Sequence, residues 1–161
     1  MRNTGHEGRN FRSTASFGKR QENVVIAELL RRGFDVYQTL VDDQGIDCII
    51  RQEREGELRY LDVQIKARSK DCNPRNAGRF AAMDIVNPRP NYFFIYSEQA
   101  NTYWVVPSEE LVRLARRNKT GRNEGRYTIN FCNVRADGTV APRPKFDRYR
   151  NNYRNNFSLL E

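Results

Sequence analysis

Histidine is almost absent from this chain. The one copy, His6, lies in a polar N-terminal stretch poor in core residues. Ser-His-Asp and Cys-His catalysis, zinc sites built on histidine and histidine-metal nucleases are thereby set aside, since each needs an imidazole held by a folded core. Cysteine is scarce as well. Cys48, Cys72 and Cys132 are odd in number, far apart and contain no Cys-x-x-Cys, the pattern of reduced thiols in a cytosolic protein. There is no Gly-x-x-x-x-Gly-Lys loop and no glycine-rich dinucleotide fingerprint, so a nucleotide-driven enzyme has no support. No apolar run is long enough to span a bilayer, and the N-terminus does not read as a signal peptide. A soluble, cytoplasmic protein is expected.

What the chain has in quantity is charge. Lys and Arg number 28 against 20 Asp and Glu, a formal +8, with a pI near 9.7. Charged residues make up 30% and hydrophobic ones 38% of the 161, so the length fits one compact core with polar flanks; no internal repeat is visible. The charge is uneven. Residues 1–20 carry five basic side chains against one acid and residues 113–161 twelve against four, while residues 21–112 carry eleven against fifteen. An acidic centre between basic arms suits a metal site with a nucleic-acid-binding rim. Basic tails that only keep the protein soluble are the plainer reading.

Within the acidic middle, Gly45-Ile46-Asp47 leads into Cys48-Ile49-Ile50, and Leu61-Asp62-Val63-Gln64-Ile65-Lys66 follows a charged stretch, Arg51 to Glu57, that reads as a hairpin connection. Both segments read as strands, because β-branched residues dominate and polar alternate with apolar. Leu61, Val63 and Ile65 then face one way, and Asp62, Gln64 and Lys66 the other. Asp47 offers a carboxylate, Gln64 a side-chain carbonyl and Ile65 a backbone carbonyl, the hard oxygen donors that Mg²⁺ takes alongside water and phosphate. Lys66, a compact charge whose pKa falls on burial, would place or deprotonate an attacking water. For the second strand alone, polar alternation on a wet sheet face is the simpler explanation.

A helix over Lys19–Arg32 is read from Val24, Val25, Ile26, Ala27, Leu29 and Leu30 at helical spacing. Arg31 and Arg32 suit the negative end of its dipole, and Gly33 is a natural stop. Glu22 falls on or beside the apolar stripe, either as a site residue or as a partly wet glutamate favoured by the helix start.

A helix carrying Glu, a strand with Gly-x-Asp, and a strand with an acidic or amide residue, one spacer and Lys resembles the PD-(D/E)XK nuclease superfamily, over roughly residues 17–70. The resemblance implies an α/β, restriction-endonuclease-like core, a mixed central β-sheet flanked by helices. It also implies a Mg²⁺- (or Mn²⁺-) dependent endonuclease. By it Asp47 is the first metal ligand, Gln64 holds the second motif position beside the Ile65 carbonyl, Lys66 is the motif lysine, and Glu22 is the helix glutamate, acting through a second metal or a bound water. Gln64 stands where Glu or Asp is usual. The Gln-x-Lys variant points to a Mrr-like, Holliday-junction-resolvase-like or intron-endonuclease-like branch, and it removes one negative charge that Asp62 would restore through a water. DNA is the expected nucleic acid, and a homodimer is compatible with double-strand cleavage by two sites.

Residues 67–91 are rich in turns and directly follow Lys66. They read as a substrate-contacting loop carrying Arg68, Lys70, Arg75 and Arg79, or as a connector; within them residues 80–86 suggest an edge strand or a helical turn. Tyr92–Tyr96 reads as a central strand and Thr102–Val106 as its partner, with Trp104 and the tyrosines in the core. A helix capped by Ser108 and running to about Arg117 follows, then a strand over Arg126–Asn133. Phe146, Tyr149, Tyr153 and Phe157 recur at helix-like intervals among Arg148, Arg150 and Arg154, either as a docked terminal helix or as stacking platforms for single strands. The expected organisation is a basic flexible arm (1–16), a nuclease-like domain (17–135) and a basic aromatic extension docked on it (136–161). The rival readings are a catalytically inactive nucleic-acid-binding protein on the same fold, and a basic structural protein that binds RNA.

Overall fold

In chain order the elements are α1 (Thr14–Arg31), β1 (Asp35–Gln38), β2 (Cys48–Arg54), β3 (Glu57–Ala67), β4 (Arg79–Met83), β5 (Tyr92–Glu98), β6 (Thr102–Pro107), α2 (Ser108–Leu114), β7 (Arg116–Arg117), β8 (Tyr127–Asn130), α3 (Pro144–Tyr153) and a closing 3₁₀ turn (Phe157–Leu160). They come from a computed structural model that describes residues 14–41, 44–68, 78–98 and 101–161. The first five-stranded sheet has the order β1-β2-β3-β5-β6. Its pairs are antiparallel except for β3 and β5, which run parallel with Gln64 opposite Phe94 and Lys66 opposite Tyr96. The architecture is α/β, a mixed central sheet flanked by helices. No helix among the described residues is long and apolar enough to cross a membrane.

Helix α1 begins five residues ahead of the expected start and ends where Gly33 takes a φ of +88°. Arg31 in its last turn and Arg32 just past its end clamp Glu28 at 2.7–2.9 Å. The hairpin differs from expectation more. Its connection is only Glu55 and Gly56, at φ 55° and 81°, the two left-handed positions of a tight turn that matches strand twist. Arg51–Arg54 and Glu57–Tyr60, read from sequence as part of the connection or left unassigned, are paired strand. Backbone pairing continues beyond the core because it needs a partner strand and no apolar side chains.

The second half of the chain differs from expectation at three points. Ser108 is not the N-cap of α2; Pro107 holds that position. The Ser108 hydroxyl instead donates to the Arg89 carbonyl and accepts the Arg89 N–H, each at 3.0 Å. The helix stops at Leu114, and Arg116–Arg117 become β7. β4, β8 and β7 form a second, three-stranded sheet that the sequence reading did not foresee.

The central sheet is covered on both sides. One face packs Cys48, Ile50, Val63, Ile65, Ile95 and Val105 against Val25 and Leu29 of α1. The other packs Tyr92, Phe94, Tyr96 and Trp104 against Phe80, Phe131, Tyr149 and Tyr153 from the second sheet, the segment after it and α3. The aromatic tail splits between them. Tyr149 and Tyr153 go to the aromatic face, whereas Phe157, past the end of the helix, joins the aliphatic one.

Candidate active site

The site is built where β2 begins. Just ahead of it, Gly45 has a φ of +72°, and a Cβ there would stand 2.8 Å from Gln64 Nε2, closer than real contacts allow. The glycine of Gly45-Ile46-Asp47 is thus demanded both by backbone conformation and by the side chain it faces. Asp47 then docks twice on β3. Its N–H bonds the Val63 carbonyl at 2.9 Å, and its Oδ2 accepts the Ile65 N–H at 2.6 Å. Regular pairing starts only at Cys48 opposite Val63, so the carboxylate takes the place of a missing backbone acceptor. Thr39 steadies the approach, its hydroxyl donating to the Ile46 carbonyl at 2.6 Å.

Gln64 is buried, at 6% exposure, on the aromatic face. The Tyr92 hydroxyl donates to the Gly45 carbonyl at 2.8 Å and stands 3.3 Å from Gln64 Oε1. A hydroxyl has one proton, and the shorter contact takes it, so the Gln64 carbonyl keeps acceptor capacity. Lys66, two residues on, is half-buried. With Gln64, Arg68, Arg79, Asp84 and Tyr96 it lines a cavity of about 380 Å³. Tyr96, deep in its floor, donates to Met83 Sδ, and burial pushes its phenol well above the ordinary range.

Glu22 approaches from α1. Its carboxylate takes the Lys19 ammonium at 2.5 Å and the Gln38 amide at 3.2 Å. Burial, and after it the negative charges of Asp47 and Glu22, push the Cys48 thiol up to about 12. Among the described residues no three His, Cys, Asp or Glu side chains gather as a metal-holding group.

Of the expected site residues, Asp47, Ile65 and Gln64 come together, and Gln64 shares the cavity with Lys66, Arg68 and Arg79. Glu22 stands on the helix side with Lys19 and Gln38 as its partners. Lys70 and Arg75 lie outside the described residues. Asp62 is a correction: the Arg89 guanidinium grips its Oδ2 at 2.5 and 3.2 Å, so its charge is neutralised there and not lent to the site. Arg89 also lies over the Tyr92 ring, 4.6 Å from its centroid. The sequence reading missed this chain from Asp62 through Arg89 and Tyr92 to Gln64 and Gly45. The available signal was that a buried tyrosine hydroxyl needs a partner.

A five-stranded mixed sheet with one parallel pair and helices on its flanks is the class this geometry defines. Among solved structures, that of the bacterial homing endonuclease I-Ssp6803I has the same fold, with a TM-score of 0.56 over 92% of this chain and 93% of that one, at 20% identity. No protein-family model matches the chain, and no curated protein matches it in sequence.

Proposed function

We propose that the chain is a metal-dependent endonuclease that hydrolyses phosphodiester bonds of DNA, with its site at Asp47, Gln64 and Lys66. The observation that carries the reading is the docking of the Asp47 carboxylate on the backbone of the strand that presents Gln64 and Lys66 to a cavity rimmed by Arg68 and Arg79. The donor set fits a hard divalent cation: Asp47, Gln64 Oε1 and the Ile65 carbonyl would hold Mg²⁺ or Mn²⁺. When bound, such an ion supplies charge stabilisation at the phosphate and acidifies its water. The chain's own groups do the rest. Ile65 N–H holds the Asp47 carboxylate in one orientation. The Lys66 ammonium orients the attacking water or a phosphate oxygen, Glu22 acts through a bound water, and Arg68 and Arg79 take flanking phosphates, with Lys70 and Arg75 joining them. Two sites are needed to cut both strands, so the working form is a homodimer, and the reaction is placed in the cytoplasm.

The test is cleavage of supercoiled plasmid by purified protein with Mg²⁺ or Mn²⁺, beside Asp47→Ala and Lys66→Ala. Each substitution is expected to lower the rate by roughly 100-fold or more; cleavage that survives both overturns the assignment.

A second reading, a non-catalytic DNA-binding protein on this fold, is favoured by two features. The site carries an uncharged glutamine, and an Asp47 oxygen is already engaged by Ile65. It predicts salt-sensitive DNA binding and no heat of Mn²⁺ or Mg²⁺ binding by calorimetry.

A further inference from the structure

A second groove lies beyond the candidate active site, between the small sheet and α3. Along β8, Tyr127 and Ile129 turn towards the aromatic core, so Thr128 and Asn130 turn away from it. The register sets Asn130 beside Arg79 of β4 and Thr128 beside Arg116 of β7. Four residues, Arg79, Asn130, Thr128 and Arg116, thus form a diagonal row across three strands, spanning two strand spacings or about 10 Å plus two residues along β8. Lys145 from α3 closes the far side, and together these residues line a groove of about 250 Å³ whose wall is completed by Phe146 and Tyr149.

The charge of this groove is one-sided. Its lining holds three cations and no carboxylate. Most other arginines near a carboxylate in this protein are clamped by it: Arg31 and Arg32 by Glu28, Arg51 by Asp35, Arg89 by Asp62, Arg113 by Glu110. Among the described residues Arg79, Arg116 and Lys145 have no ion pair. Three like charges kept close without a counter-charge cost stability, and a bound polyanion removes that cost. Arg79 also lines the active-site cavity, whose wall holds the Asp84 carboxylate as well, so the two concavities share a residue, and Lys66, Arg68, Arg79, Arg116 and Lys145 line them in succession.

We propose that this track is the seat of the phosphate backbone of duplex DNA on the non-reacting side of the cut, with Arg116 and Lys145 taking phosphates and Asn130 donating a hydrogen bond beside them, while the Thr128 hydroxyl is held by the Asn118 side chain. The proposal rests on the endonuclease reading for the direction of the track, and on the groove alone for its ligand.

The experiment measures binding of a short duplex by fluorescence anisotropy across a salt series in EDTA, where no cleavage occurs. The Arg116→Ala/Lys145→Ala pair is expected to weaken binding about tenfold or more at low salt. It should also flatten the slope of log K against log salt by about 1.8, two phosphate contacts at about 0.9 each. Arg54→Ala/Arg59→Ala, exposed cations on the distal hairpin, serve as the control for bulk charge and should leave the slope unchanged. An unchanged slope in the groove pair, or an equal loss in the hairpin pair, overturns the proposal. Both pairs lie on the surface, and their melting temperatures check that each still folds. Plasmid cleavage with Mg²⁺ separates the two claims. An unmodified chain that never cleaves while the groove pair still loses slope sinks only the nuclease reading. Cleavage that depends on Asp47 alongside an unchanged slope sinks only the track.

Discussion

The two faces of the central sheet are both buried, yet they do different work. The face under α1 is mainly aliphatic: Val25, Leu29, Ile50, Val63 and Val105 are fully buried and carry no polar atom in their side chains, and Phe93, Tyr103 and Phe157 join them. The face under the second sheet is aromatic, and Tyr92, Tyr96 and Trp104 bring hydroxyl and indole groups that must each find a partner. Satisfying them draws polar residues inward. Tyr92 reaches the Gly45 carbonyl and Gln64, and Tyr96 reaches Met83. The difference teaches why Gln64 and Lys66 lie on the aromatic side, while Glu22 stands on the side of α1. There the packing leaves a cavity in which an amide, an ammonium and two guanidinium groups stand beside the sheet.

Breaking each face separately should expose that division. Trp104→Ala on the aromatic face is expected to cost about 3–5 kcal/mol, and Leu29→Ala on the aliphatic face about 2–5 kcal/mol, both read from denaturant unfolding. DNA binding per folded molecule should survive Leu29→Ala and fall in Trp104→Ala. Equal behaviour of the two would show that the faces are not functionally distinct. Gly45→Ala sharpens the contrast at one atom. Its positive φ and the 2.8 Å approach to Gln64 should cost about 1–3 kcal/mol and lower plasmid cleavage disproportionately, because Gln64 has to move. Tyr92→Phe removes one hydroxyl and should cost about 1 kcal/mol, with calorimetry reporting altered Mn²⁺ binding if Gln64 is a ligand. The smallest effect belongs to the aliphatic face. The Cys48 thiol is held near 12 against an ordinary 9.0, so the folded state keeps its proton more tightly than the unfolded chain. That contribution to stability is whole below pH 9 and erodes as pH rises towards 12. From pH 8 to 9 it amounts to a few tenths of a kcal/mol, visible as a drop in melting temperature that Cys48→Ala should flatten.

Much of the frame was legible from local pattern. The strands around Cys48–Ile50 and Leu61–Lys66 announce themselves by alternation, and Gly33 marks the end of α1. Even the opposition of Val63 and Ile65 to Gln64 and Lys66 follows from the two-residue period of a strand. Local pattern misled where pairing or packing outranked it. The charged hairpin arms look like loop because they bury nothing, although their backbones pair. Ser108 looks like a cap, but the turn at Arg89 claims its hydroxyl. Asp62 looks available to the site until Arg89, 27 residues away, neutralises it.

By itself the sequence determined which side chains alternate on β3 and that a glycine leads into Asp47. These follow from residue identity and the period of a strand, properties that need no distant neighbour. Only the tertiary structure decided that the Gln64 face is enclosed by a second sheet, that Tyr92 lies against Gln64, and that Arg79 joins the cavity beside Lys66 to a groove on β8. Each of those depends on contacts between residues far apart in the chain, whose free energy arises only when the whole core closes.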